Sequence, residues 1–194
     1  MRSRPPAAVL EFIPSELPRP PARVLEVGCG PGELATTLAE AGYDVLAIDP
    51  DAPEGPLFRR TRIEDLDSTE TFDAVIAQLS LHHVTDLAIA VGKVAEVLSD
   101  EGRVVIDDFG WERLTEGAAE SVGIRFDEWR DEHEHLHSAE AMLAELDERF
   151  DRRAFSWEPF LFREGRQVAD EARERALIGE GRLPAIGFQY VGER

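Results

Sequence analysis

Cysteine is nearly absent from this chain. Cys29 is the one thiol among 194 residues, so an internal disulfide is excluded. Lysine is equally scarce: Lys93 stands alone, and arginine carries nearly all the positive charge. Basic residues number 21 against 40 acidic ones, which leaves a net charge of −19. Nucleic-acid binders carry a basic patch. The nearest approach to one is Arg59-Arg60-Thr61-Arg62, which reads more simply as an exposed strand with salt-bridged arginines. A nucleic-acid partner is therefore not expected. No apolar run reaches the length of a transmembrane span, and no membrane partner is expected either. Met1-Arg2-Ser3-Arg4-Pro5-Pro6 is not followed by a long apolar segment, so a secretory signal is not expected and the cytoplasm is the default location. The excess of carboxylates points to a salt-tolerant surface.

The length fits one domain, residues 1–194, with a core of useful size, and 43% apolar content fits a globular protein. The informative stretch is Val24-Leu25-Glu26-Val27-Gly28-Cys29-Gly30-Pro31-Gly32-Glu33. A short apolar strand enters three glycines spaced two apart and then a helix. Glycines there let the backbone turn tightly and let a ligand lie against bare main chain. The helix start offers unpaired N–H groups. Together these form a nucleotide-type corner. Glu26 narrows the choice of ligand. A pyrophosphate would be repelled by this carboxylate in a partly dry cleft, whereas a cationic ligand would be favoured. The dinucleotide fingerprint is G-x-G-x-x-G/A; here the spacing is G-x-G-x-G, with Glu33 where the third small residue would stand.

The stretch Glu26, Gly28, Gly30, Gly32 resembles motif I, E/D-x-G-x-G-x-G, of the class I S-adenosylmethionine-dependent methyltransferases. The resemblance implies S-adenosyl-L-methionine as cofactor. It also implies a Rossmann-like α/β three-layer sandwich, whose seven-stranded sheet is mostly parallel with an antiparallel last strand. Later segments agree. A strand over 44–48 ends at Asp49-Pro50, and an acidic residue at that tip can accept both ribose hydroxyls, a device shared by dinucleotide-binding folds; an Asx turn before Asp51 is the structural alternative. By resemblance, Ile63 lies against the adenine and Glu64 is a candidate acceptor for its amino group. Many relatives have Asp where this chain has Arg62. A strand over 72–77 runs into Gln78-Leu79-Ser80-Leu81-His82-His83-Val84. Leu-His-His-Val resembles the same region of small-molecule methyltransferases of quinone biosynthesis, which places Gln78 and Leu79 at the methionine end. With Gly28, Cys29 and Gly30 these complete the expected cofactor set. The Asn/Asp-Pro-Pro-Tyr/Phe motif of DNA and protein amide methylation is missing, which also favours a small-molecule acceptor.

The remaining elements follow from periodicity. Residues 1–22 hold Pro5, Pro6, Pro14, Pro18, Pro20 and Pro21, and read as an arm with a short helix near 7–12 that either folds over the cleft or stays loose. Helices are expected over 33–41, 86–98, 139–150 (capped by Ser138) and 164–178. Strands are expected over 23–27, 57–61, 103–107, 155–162 and 183–191. Residues 109–137, with Trp111, Trp129, His133, His135 and His137, read as a lid-like insertion whose rings suit a flat or apolar acceptor, or simply anchor a loop.

In-line displacement at a sulfonium methyl depends mostly on positioning, and a base is needed only if the acceptor loses a proton. Histidine is the usual choice near neutral pH. His82 and His83 follow the fourth strand, with only one of them expected to face the cleft, and His137 is the acceptor-side candidate. Asp107 and Asp108 are carboxylate alternatives. His133, His135 and His137 alternate, but no carboxylate or cysteine set supports a metal site, and none is expected. Two rivals remain: a cofactor- or partner-binding protein of the same fold without catalysis, and an NAD(P)-dependent oxidoreductase. Glu26, Glu33 and the lack of a Tyr-x-x-x-Lys pair oppose the second. A monomer and a homodimer are equally open.

Overall fold

A computed structural model describes residues 7–67, 69–165 and 168–194. Its frame is a seven-stranded sheet in the order β3-β2-β1-β4-β5-β7-β6. The strands are β1 (Arg23–Val27), β2 (Asp44–Asp49), β3 (Phe58–Arg60), β4 (Phe72–Gln78), β5 (Leu98–Phe109), β6 (Asp151–Glu158) and β7 (Gly187–Glu193). Neighbours from β3 through β5 pair in parallel, and β7 runs antiparallel to both β5 and β6. The fold is the expected one.

Side chains alternate across a strand, and both faces of this sheet are covered. Leu25, Val27, Val75, Ala77, Val104 and Ile106 face one layer, helices α3 (Leu87–Val97) and α6 (Ala139–Arg149). Val24, Ala74, Ile76 and Val105 face the other, formed by α1 (Ala7–Glu16) and α2 (Glu33–Glu40). That double burial explains why the central strands read as continuous apolar runs. The cap expected at Ser138 is in place, its hydroxyl accepting from the N–H of Ala141 at 3.2 Å, and Asp86, which opens the helix expected over 86–98, caps α3 by accepting from the N–H of Ile89 at 3.0 Å.

Several expectations need correction. The described residues of the arm pack on the sheet and not over a cleft. Ile13 and Leu17 of this segment are buried against the sheet, and the backbone oxygen of Glu16 accepts from Arg103; Pro5 and Pro6 lie outside the described residues. Strand 155–162 is instead β6, ending before Pro159. Proline has no N–H for the ladder, and the next three amides turn to another acceptor, Glu174. Helix 164–178 is instead α7 (Glu171–Gly179). Gly165 adopts a left-handed φ of 64° that closes a 3-10 turn, Leu161–Glu164, and Asp170 caps the real helix; residues 166 and 167 lie outside the described residues. The final strand begins four residues later than expected, at Gly187.

Residues 109–137 are more regular than their sequence suggests. They contain α4 (Glu116–Ser121) and α5 (Phe126–His133). Both pack with residues 160–186 around a third apolar cluster that includes Phe109, Trp129, Phe160, Leu177 and Ile186. Trp129 is 1% exposed and its Nε1 donates to the carbonyl of Trp111 at 3.0 Å, so it anchors this layer. Among the described residues no helix is long and apolar enough to cross a membrane.

Candidate functional site

The site forms at the carboxyl ends of β1, β2, β4 and β5. The glycine turn after β1 is pinned to β2 by N–H groups of Gly28 and Cys29 that donate to the carbonyl of Ile48 at 2.8 and 3.1 Å. Gly28 has φ 75°, and a Cβ there would stand 2.2 Å from that of Ser80, so only glycine fits. Gly30, with φ 52°, has open space where a Cβ would be, which leaves its main chain accessible to a ligand. The Asp49 carboxylate closes the turn. Its Oδ2 accepts from Gly30 N–H at 3.0 Å and its Oδ1 from Asp51 N–H at 2.8 Å. The Asx turn and the ligand-facing role are therefore compatible, because an ionised carboxylate has about four lone-pair sites.

Two adjoining cavities open here, of about 500 and about 320 Å3, sharing Gly28, Leu79 and His83 in their walls. The larger is bordered at one end by Glu26, Gly28, Cys29, Gly30 and Gln78. The smaller is bordered by Asp49, Pro50, Ile63 and Glu64. Each residue expected around the cofactor thus lies on one of these walls. Glu64 is partly committed, since its Oε1 accepts from the Thr85 N–H at 2.8 Å. Leu79 has a positive φ of 49°, rare for a side chain of its size, and the strain falls where the two cavities meet.

Glu26 is 3% exposed, and its Oε2 has no partner among the described residues. Burial pushes its carboxyl up to about 8; a hydrogen bond from the Ala35 backbone opposes the shift and the Asp49 charge adds to it. A buried carboxylate oxygen without a donor, beside bare glycine main chain, fits the ammonium of S-adenosylmethionine and does not fit a pyrophosphate. Cys29 is raised to about 12, first by burial and then by the charges of Glu26 and Asp49. Its thiol is therefore inert at neutral pH.

The other end of the larger cavity holds chemistry that the sequence indicated only in part. Asp107 and Asp108 are adjacent on β5, so they point to opposite faces of the sheet. Asp108 is fully buried, and its Oδ1 lies 2.5 Å from Nδ1 of His82, itself 5% exposed. The same carboxylate accepts from the backbone N–H groups of Leu81 and Phe109 at 3.0 and 2.9 Å. With only donors around it, Asp108 acts as an acceptor, which puts the ring proton of His82 on Nδ1 and leaves a lone pair on Nε2. Asp107 meets Arg163, whose Nη1 and Nη2 donate to it at 2.8 and 3.3 Å. Burial raises its carboxyl and Arg163 opposes that shift.

His83 is on the walls of both cavities. His137 is on neither: its Nε2 lies 2.9 Å from the carbonyl oxygen of Val84, so it ties the segment before α6 to the turn after β4. Arg163 gave no signal of its role because its partner Asp107 is 56 residues away, and Phe160 and Glu174 meet only because the chain turns back over the 14 residues between them. Among the described residues no group of three or more His, Cys, Asp or Glu is placed to hold a metal ion.

A family model described as a methyltransferase domain matches residues 1–155. The ubiquinone biosynthesis O-methyltransferase of Bradyrhizobium sp. (strain ORS 278) is 34% identical over 97 residues, covering 43% of this chain and 38% of that protein. The chain thus spans less than half the length of that curated relative. Among solved structures, an S-adenosylmethionine-dependent methyltransferase from Mesorhizobium loti superposes with a TM-score of 0.67 at 18% identity, covering 97% of this chain and 98% of that one. The geranyl diphosphate C-methyltransferase of Streptomyces coelicolor A3(2), in complex with Mg2+, geranyl diphosphate and S-adenosyl-L-homocysteine, gives 0.67 at 14% identity, covering 97% and 80%.

Proposed function

Because the chain belongs to the family of S-adenosylmethionine-dependent methyltransferases, we propose that it transfers a methyl group to a small-molecule acceptor and releases S-adenosylhomocysteine. S-adenosylmethionine supplies an already activated methyl carbon for in-line displacement. The chain binds and orients. Glu26 receives the ammonium, Asp49 accepts from the ribose hydroxyls, Ile63 packs on the adenine, and Gln78 and Leu79 border the methionine end. His82 takes the acceptor's proton at Nε2, and Asp108 holds its ring and tautomer. His83, shared by both cavities, is the neighbouring polar contact. On this reading residues 1–194 act as one domain with 109–137 as the acceptor-side cover.

The observation that carries the proposal is the adjoining of the two cavities. One end offers a nucleoside corner with a buried acidic group; the other offers an oriented imidazole and aromatic walls. The larger cavity, about 500 Å3, takes the methionine end of the cofactor as well as the acceptor, which limits the acceptor to a small organic molecule. The relative from Bradyrhizobium is an O-methyltransferase by name, which agrees with oxygen as the acceptor atom.

Calorimetric titration with S-adenosylhomocysteine, with NADH in parallel, tests the reading. Micromolar binding of the thioether alone is expected. Binding of NADH alone would overturn it. Binding of S-adenosylhomocysteine without methyl transfer across an acceptor panel would instead favour a non-catalytic relative of the fold.

A further inference from the structure

The proposed transfer uses one imidazole, and the same cavity holds a second that is prepared in the same way. His133 ends α5 and is 8% exposed. Its Nδ1 lies 2.7 Å from the carbonyl oxygen of Trp129, one turn back along the helix. A carbonyl only accepts, so Nδ1 carries a proton, and in the neutral ring Nε2 keeps its lone pair. The ring is held flat on Trp129, with 4.0 Å between centroids. It also meets the edge of Phe109 at 5.7 Å. His82 has spent its own Nδ1 proton on Asp108 and meets Phe109 at 4.8 Å. Two imidazoles therefore flank one phenyl ring on the wall of one cavity, each with its donor used inside the protein and an acceptor nitrogen left over. A hydroxyl or an amide could rotate to offer a donor instead. These two rings, fixed by stacking and by their Nδ1 partners, cannot turn to do so, and as neutral imidazoles each presents only an acceptor at Nε2.

Resting on the methyl-transfer reading above, we infer that His133 reads a second donor group on the acceptor molecule. The acceptor is then a planar compound with two O–H or N–H groups: one gives its proton to His82, and the other donates to Nε2 of His133. Phe109 and Phe160, stacked 4.1 Å apart and 3° from parallel, both border the cavity and make this part of its wall aromatic. A compound with a single donor would leave one buried ring nitrogen without a partner. A site built to hydrogen-bond a substrate group rejects the analogue that lacks it.

The test is calorimetric titration of the protein, loaded with S-adenosylhomocysteine, with 1,2-, 1,3- and 1,4-dihydroxybenzene and with phenol. At least one dihydroxybenzene is expected to bind about tenfold or more tightly than phenol. His133→Phe keeps a ring against Trp129 but removes the acceptor; it should bring that ratio to within about twofold and leave S-adenosylhomocysteine affinity unchanged. His133→Gln restores an acceptor oxygen and should keep part of the preference, which also covers the case of a poorly folded Phe variant. A ratio near one in the unaltered protein, no binding by any of the four probes, or a preference that survives in His133→Phe would overturn the inference. The loading step judges the methyl-transfer reading by itself, since it reports cofactor-site binding before any probe is added.

Discussion

Glu26 is held where its own ionisation opposes folding. Its carboxyl titrates near 8 in the folded protein against 4.5 in an exposed chain. A raised value means that the folded state keeps a proton the unfolded state has lost. The associated stability is fully present below about pH 4.5, declines as pH rises, and is gone above about pH 8. Glu26→Gln cannot ionise, so across that window its Tm should fall less with pH than that of the unaltered protein. Parallel melting curves between pH 5 and pH 9 check this. Binding reverses the preference. An ammonium group set against Glu26 at pH 7 forces the carboxylate to form, so about one proton should leave when the ammonium end of S-adenosylhomocysteine binds. Calorimetry in buffers of different ionisation enthalpy reads that proton directly, and in Glu26→Gln it should vanish while affinity drops at least about tenfold. The Asp108–His82 pair makes a complementary prediction. Asp108→Asn can present an N–H to Nδ1 and so drive the ring proton to Nε2, the wrong nitrogen for a base. Turnover should fall by about 10²- to 10⁴-fold with S-adenosylhomocysteine affinity unchanged. Equal losses in both quantities would assign Asp108 to the cofactor instead.

At the scale of elements, the turn after β6 depends on one buried carboxylate. Glu174, on α7, is fully buried and accepts from the N–H groups of Phe160, Leu161 and Phe162 at 2.7, 3.0 and 2.8 Å. That turn carries Phe160 and Arg163 to the cavity. Glu174→Ala would strand three amides, each bond to a charged group being worth about 1.5–3 kcal/mol. A clear fall in Tm is expected, with acceptor KM rising more than the dissociation constant of S-adenosylhomocysteine. Differential scanning calorimetry and steady-state kinetics separate the two effects. This interaction was invisible in the sequence, for a reason that applies to the whole second half of the chain. The glycine corner, Asp49, and the caps at Asp86 and Ser138 are local patterns, legible within a few residues. The alternation of β1, β4 and β5 is legible for the same reason. Glu174 and Phe160 are 14 residues apart and joined by an irregular turn, Arg163 and Asp107 are 56 apart, and nothing in the spacing of either pair announces the contact. The expected strand 155–162 runs through Pro159 and the expected helix 164–178 through Gly165, whereas the backbone ends β6 before the first and closes a turn at the second. The place of His137 beside the Ser138 cap suggests an acceptor-side group, whereas its ring meets the carbonyl of Val84 and ties two loops together.

For the molecule as a whole, charge decides how these local devices hold together. The excess of 19 carboxylates remains even if every arginine and the lysine find an acidic partner. The ion pairs that do form are mostly half-exposed, such as Arg23 with Asp44 and Arg130 with Asp127. Exposed pairs contribute little, about 0–1 kcal/mol, and lose part of that in salt. The unmatched carboxylates repel one another in the compact state, and salt removes that cost too, because the Debye length falls from about 10 Å at 0.1 M to about 3 Å at 1 M. With so large an excess of one sign, relief of repulsion outweighs the weakened pairs. The buried contacts that build the site, Asp108 with His82 and Asp107 with Arg163, are shielded from the solvent ions that act on the surface. Melting temperature should therefore rise between 50 mM and 1 M potassium chloride, while the affinity for S-adenosylhomocysteine, set inside the cleft, changes much less. A Tm that stays level or falls with salt would mean that the surface pairs, despite their exposure, hold the molecule together.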